Sequence, residues 1–214
     1  MAKRFIIYLG VITLLIIFVF ACAPKKEAAP KKPSKAPVEV KIPARPKEVM
    51  VADFDTGSKP NNLGGDFGAW SKDPDDPSQG CQDSFTSEEK YGREGYAIKL
   101  KYDVDSPNPA YNGFWLKLEN MDASQYNKLV FYIKGDTEAG YPQSLKVELK
   151  NSKGEVGKTY VSQISGTWAP LEIPFSSFKG IKDLKSMTEF VIVFEDSVTR
   201  PKTGIIYIDN ILFY

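Results

Sequence analysis

The chain contains no histidine. Without an imidazole there is no Ser-His-Asp or Cys-His catalysis and no His-ligated zinc site. Carboxylate chemistry survives this exclusion. Cysteine is nearly as scarce, with only Cys22 and Cys81. If Cys22 is consumed at the N-terminus, as argued below, Cys81 has no intrachain partner and no disulfide staples the fold. Neither sign of charge is in excess. The 28 basic residues face 27 acidic ones, and loss of Met1–Ala21 would remove only Lys3 and Arg4. A chain so close to neutral lacks the basic surface that phosphate backbones require, so no nucleic acid is expected as a partner. Long amphipathic helical periodicity is missing as well.

What remains suits one globular domain with appendages. Hydrophobic residues make up 42 % and aromatic residues 13 %, a composition that favours strands and binding surfaces. Met1–Arg4 is short and basic, and Phe5–Ala21 is a continuous apolar run. These are the parts of a secretory signal, assigned to residues 1–21. The ending Val19-Phe20-Ala21-Cys22 resembles a bacterial lipobox, although Phe20 departs from the small residue usual there. The resemblance implies that Cys22 is acylated and becomes the mature N-terminus. An uncleaved membrane anchor is the alternative, because the run is nearly long enough to span. Either way the domain is expected in the cell envelope, anchored outside the cytoplasmic membrane, and in the outer membrane where the cell has one. Residues 22–47 are rich in Pro, Lys and Ala, with too few apolar positions for a core. They read as an extended tether.

From Glu48 to Tyr214 the pattern is of short alternating runs between turn residues. Candidate strands are Val49–Phe54, Ser84–Thr86, Ala97–Val104, Gly113–Glu119, Lys128–Lys134, Ser144–Lys150, Lys158–Ile164, Trp168–Ile173, Glu189–Phe194 and Ile205–Phe213. Ser176–Leu184 has room for a helical turn. Many short strands with such punctuation predict an all-β fold, a two-sheet antiparallel β-sandwich or jelly roll. Alternation assigns faces. Leu145, Val147 and Leu149 point inward, and Lys146 and Glu148 outward. Phe114, Leu116 and Leu118 point inward, leaving Trp115 outward with Lys117. Tyr132 falls outward, opposite Phe131. Glu189–Phe194 is apolar on both faces, so a second layer or loop is expected to cover it.

The last stretch, Gly204–Tyr214, is a buried-strand pattern broken by Asp209 and Asn210. A buried carboxylate needs a partner. The acidic pair Asp53 and Asp55 lies at the start of the domain, so the first and last strands are expected to lie together and share a cation; the alternative is that Asp209 hydrogen-bonds to backbone amides or pairs with a lysine.

Five segments together resemble the carbohydrate-binding modules of the galactose-binding-like jelly-roll superfamily, family 11 above all. They are Ala52-Asp-Phe-Asp, Gly95-Tyr-Ala-Ile-Lys-Leu-Lys-Tyr, Asn127-Lys-Leu-Val-Phe-Tyr-Ile-Lys-Gly-Asp, Gly166-Thr-Trp-Ala-Pro-Leu-Glu-Ile-Pro-Phe and Ile206-Tyr-Ile-Asp-Asn-Ile. The resemblance spans nearly all of Val49–Tyr214 and implies a non-catalytic module with a structural Ca2+ near its termini. It places Asp55 and Asp209 among the calcium ligands, offers Arg93 through its main chain, and leaves Asp53 as a further candidate. Hard cations take such oxygen sets.

A sugar offers apolar C–H faces and many hydroxyls, so its site combines aromatic platforms with outward polar groups. The outward aromatics are Trp115, Tyr132 and Tyr160, with Lys146 and Glu148 on a neighbouring strand. Tyr111 precedes Trp115, and Trp70 closes the Gly-rich stretch Asn61–Trp70, read as a loop bordering a ligand. The family resemblance implies that Trp168 opens a strand and packs structurally. The function expected is a surface-anchored lipoprotein binding a β-glucan-like polysaccharide. The alternative is an envelope module that binds a protein partner through the same fold, without affinity for free sugar.

Overall fold

The computed structural model describes residues 47–214. The apolar N-terminal run, Cys22 and the Pro-, Lys- and Ala-rich stretch before Lys47 lie outside the described residues.

Eleven strands follow in order among the described residues: β1 (Val49–Ala52), β2 (Phe67–Ser71), β3 (Gly80–Thr86), β4 (Ala97–Asp103), β5 (Tyr111–Met121), β6 (Lys128–Gly135), β7 (Ser144–Asn151), β8 (Val156–Ser162), β9 (Ala169–Pro174), β10 (Met187–Glu195) and β11 (Thr203–Phe213). The first sheet runs β3-β4-β11-β6-β9, with β1 also paired to β11. The second runs β2-β5-β10-β7-β8. The strand pairings are antiparallel. The fold is an all-β, two-sheet sandwich.

Alternation in each strand builds the core. Phe114, Leu116 and Leu118 of β5, Leu145, Val147 and Leu149 of β7, and Phe190, Ile192 and Phe194 of β10 are fully buried. They meet Leu129, Phe131 and Ile133 of β6 and Ile206 and Ile208 of β11 in one cluster. Aromatic contacts bridge the layers. Tyr102 of β4 stacks on Phe194 at 4.2 Å, and Phe131 meets Phe190 edge-on at 5.6 Å. Large non-local apolar burial of this kind, rather than strand propensity, holds such sheets together.

The expected meeting of the first and last strands is seen. Val49 pairs with Phe213 and Met50 with Leu212. Three sequence expectations change. The Gly-rich stretch before Trp70 does not remain a loop throughout, because its end forms β2, paired with β5 from Phe67↔Leu116 to Ser71↔Asn112. Gly68 and Ala69 supply no side-chain periodicity, so the strand was invisible to pattern reading. The helical turn after Ser176 is only a 3-10 turn, Phe175–Ser177. Over β10 no separate layer is needed. Val191 and Val193 are 2 % and 3 % exposed on its outer face, covered by side chains of the flanking strands.

Candidate functional site

Register sorts the outward side chains of the second sheet into cross-strand rows. Lys117, Glu189 and Lys150 form one row across β5, β10 and β7. The next is Gly68, Trp115, Val191, Glu148 and Lys158. The third is Trp70, Gly113, Val193, Lys146 and Tyr160. A last pair, Tyr111 and Glu195, closes one end. The rows enclose a groove of about 370 Å3, lined by Trp70, Tyr111, Trp115, Lys117, Lys146, Glu148, Lys150, Glu189, Val191 and Val193. Its floor is aliphatic and its walls are aromatic and charged. Gly68 and Gly113 matter by what they leave out, since neither row carries a side chain beside its tryptophan at that position.

The polar groups are fixed before any ligand arrives. Glu189 spans three strands, with Oε2 2.7 Å from Lys117 Nζ and Oε1 2.6 Å from Lys150 Nζ. Burial pushes its pKa up, but the two ammonium groups outweigh that and hold it below the ordinary carboxylate value. Lys146 Nζ lies 2.6 Å from Glu195 and 3.3 Å from Glu148. Burial opposes its charge, yet the two carboxylates win and its pKa rises. Glu195 Oε2 also accepts a 2.9 Å hydrogen bond from Tyr160, which raises the phenol's pKa. Charge-assisted bonds of this kind orient long side chains that would otherwise sample many rotamers. The rings are held likewise. Trp70 and Tyr111 meet edge-on at 5.8 Å, and Lys117 Nζ stands 5.3 Å from the Trp115 ring centroid.

Of the candidates named from sequence, Trp70, Tyr111, Trp115, Lys146 and Glu148 come together in the groove. Tyr160 borders it, 55 % exposed and paired in register with Lys146. Tyr132 does not join them, because β6 belongs to the other sheet, where its ring stacks on Tyr91. Lys117, Lys150, Glu189, Glu195, Val191 and Val193 were absent from the sequence list. Alternation put Lys117 on Trp115's side, but only the register of β10 between β5 and β7 brings the other groups to the same place.

The termini form a second polar locus. Asp209 is 1 % exposed. Its Oδ2 accepts from the Tyr91 amide at 2.9 Å and its Oδ1 from the Asn210 amide at 2.8 Å. Its pKa is pushed up to about 7, by burial above all and then by the charges of Asp55 and Asp53, against the downward pull of the two amides. Asp55 is raised too, by desolvation, Asp53 and Glu94. Gly95, at φ +86°, provides the space for Asp55, since a Cβ there would sit 1.9 Å from Oδ1. Asp53 is engaged locally, its Oδ2 accepting from Asn62 at 2.7 Å. Arg93 is exposed in the intervening loop. Among the described residues no three acidic side chains form a metal cluster by themselves. Asp55 is the carboxylate whose charge bears most strongly on Asp209 at this locus.

The second sheet of the sandwich carries a ready-made groove of aromatic and charged side chains over an aliphatic floor. The family model described as carbohydrate binding domain (family 11) matches residues 33–188, and the chain belongs to that family. It is a non-catalytic carbohydrate-binding module. Among solved structures it is similar to a family 11 module from Clostridium thermocellum in complex with a β-1,3-1,4-mixed-linked tetrasaccharide. That likeness has 21 % identity, covers 78 % of this chain and 94 % of that one, and has a TM-score of 0.58. An exo-β-agarase is similar at 14 % identity over 77 % of this chain and 24 % of its own, with a TM-score of 0.57. These likenesses bear on the fold. No curated protein matches the chain.

Proposed function

We propose that the groove of the second sheet binds a neutral β-glucan-like polysaccharide. One observation carries this reading: three aromatic rings and two fixed ion-pair networks surround an aliphatic floor in a single groove. Ring faces suit the C–H faces of pyranose rings, and the covered Val191–Val193 floor gives them an apolar backing. The lysines and glutamates donate to and accept from hydroxyls. Because each of these charges already has a partner, a ligand need not bring one of its own. A family member solved with a mixed-linked tetrasaccharide supports the same ligand class. The test is calorimetric titration of the full chain, in mild detergent, with a β-1,3-1,4-linked tetrasaccharide. Saturable binding is expected. Folded protein that ignores glucans but captures an envelope protein would move the assignment to a protein-interaction module.

Acylation of Cys22 fastens the module to a membrane, and residues 23–47 act as its tether through the envelope. The support is the basic start, the apolar run and the Ala21-Cys22 ending. Mass spectrometry of the mature N-terminus is expected to find a lipid-modified Cys22. An intact Met1 or a bare cysteine would contradict it.

Calcium joins the termini through Asp209, Asp55 and neighbouring carbonyls, Arg93's among them, with Asp53 beside them. The support is a carboxylate kept from water with a second one facing it, an arrangement that a cation relieves. Bound ion favours the folded state by mass action. Chelation is expected to lower Tm by about 5 °C and readdition of Ca2+ to restore it. Asp209→Asn should lose the calcium response while remaining folded. A Tm indifferent to both, in protein shown to be metal-free, would remove calcium from the account.

A further inference from the structure

The outer face of the first sheet repeats the chemistry of the groove with different residues. Register sets Leu212 of β11 beside Val130 of β6, and Val130 beside Glu172 of β9. Further along, Tyr132 pairs with Pro170. At the other end, the Lys128 amide bonds to the carbonyl of Tyr214 at 3.0 Å. These residues line a depression of about 300 Å3.

Its parts correspond to those of the groove. The floor is aliphatic, with Val130 only 5 % exposed. Two rings stand over it. The Tyr91 ring backs Tyr132 at 3.7 Å and 21°, which fixes one face and leaves the ring pre-set for contact. Tyr214 is held by Lys128, whose ammonium lies 5.2 Å from the ring centroid. Lys128 and Glu172 are paired at 2.7 Å.

These features select among occupants. Lys128 and Glu172 neutralise each other, so the pair provides hydrogen-bonding groups and offers little attraction to a charged partner. A stable protein interface removes about 800 Å2 from each side and has an apolar centre with charge depleted. This depression is small, and Glu48, Lys128 and Glu172 stand within it. Ring faces, an aliphatic floor, the Lys128–Glu172 pair and Glu48, which hydrogen-bonds with the Tyr214 phenol, suit an uncharged polyhydroxylated chain.

We propose that this depression is a second saccharide platform, built on Tyr132, Tyr214 and Val130, which takes a neutral glycan chain. The two platforms lie on opposite outer faces of the sandwich. A short oligosaccharide held on one face does not reach the other, so each module holds two chains and cross-links a polymer. The platform goes beyond the groove, with which it shares no residue.

The test is the binding stoichiometry of a β-glucan tetrasaccharide to the full chain in mild detergent. The wild type is expected to take two per chain. Tyr132→Ala should take one, and Trp115→Ala should also take one, through the other face. Tyr214→Ala is a second variant, because its half-buried ring lies outside the core cluster. Unchanged Tm shows that each variant is folded. A wild-type stoichiometry of one that Trp115→Ala abolishes and Tyr132→Ala leaves intact would overturn the second platform alone. One site lost on Tyr132→Ala and indifferent to Trp115→Ala would overturn the groove instead. No binding by folded wild type would overturn both.

Discussion

Trp115→Ala is expected to weaken binding at the groove about a hundredfold, ~2.7 kcal/mol. Trp115 occupies the middle of its row, between Gly68 on β2 and Val191 on β10. On that side Gly68 contributes no side chain, and the Lys59 ammonium, paired with Asp66 at 2.8 Å, stands 6.0 Å from the Trp115 ring centroid. A Cβ at Gly68 would come within 3.8 Å of the ring, and a longer side chain would lie across it. The floor beside Trp115 is aliphatic, so truncation removes the largest apolar contact a pyranose ring has in the groove. Large buried aromatic anchors dominate most binding sites, with peripheral residues contributing less. Tyr160, at the rim and 55 % exposed, should accordingly cost much less as alanine. Trp115→Phe keeps a ring and should recover most of the affinity. Trp115 faces outward, so folding stability should change little. An affinity unaltered in folded Trp115→Ala would move the site elsewhere.

Gly113→Ala is expected to cost about 3–4 kcal/mol of stability. A Cβ at Gly113 would lie 1.9 Å from the carbonyl oxygen of Ile192 and 3.2 Å from Val193 Cα. Both are backbone atoms of β10, so no rotamer change makes room. Strands β5 and β10 would have to part at the middle of the sheet. The groove suffers with the fold, because Gly113 lies between Trp70 and Val193 in one row. Gly80→Ala is the control. Its Cβ would meet only Ser71 Oγ, at an ordinary 3.5 Å, and its Tm should stay within about 1 °C of wild type. Thermal unfolding of the two variants checks this. Equal midpoints would show that the β5–β10 contact is looser than described.

The contrast between these two residues bears on what a sequence discloses. Trp115 was legible, because strict alternation in β5 separates it from Phe114 and Leu116 and leaves it beside Lys117. The sandwich was legible for the same reason. Leu145, Val147 and Leu149 have period two, and so do most other strands. Gly113 was not legible as a requirement, since its need arises from the approach of a strand nearly eighty residues away. Strand β2 was hidden because Gly68 and Ala69 show no pattern. Glu189 and Glu195 sit at the ends of a β10 pattern that looked apolar on both faces. Their purpose depends on which strands flank β10, and local sequence does not encode that. Tyr132 shows the limit from the other side. Alternation placed it outward, correctly, but could not say which sheet's outer face it stands on. The pairing of first and last strands was expected from Asp209 and the acidic pair Asp53 and Asp55, and the strands do pair, but the groups that hydrogen-bond Asp209 are the Tyr91 and Asn210 amides, which sequence reading did not single out.

Three tryptophans give a direct probe of where ligand binds. Trp70 and Trp115 line the groove, while Trp168 packs edge-on against Tyr91 beside the first sheet. Each gives one indole N–H signal in a nitrogen-proton correlation spectrum. The measurement to make is a titration of the labelled full chain with a β-glucan tetrasaccharide, with the Trp115 signal assigned by Trp115→Phe. The groove reading predicts saturable movement of the Trp115 signal, accompanied by Trp70. Saturable binding that leaves both signals where they were would contradict it.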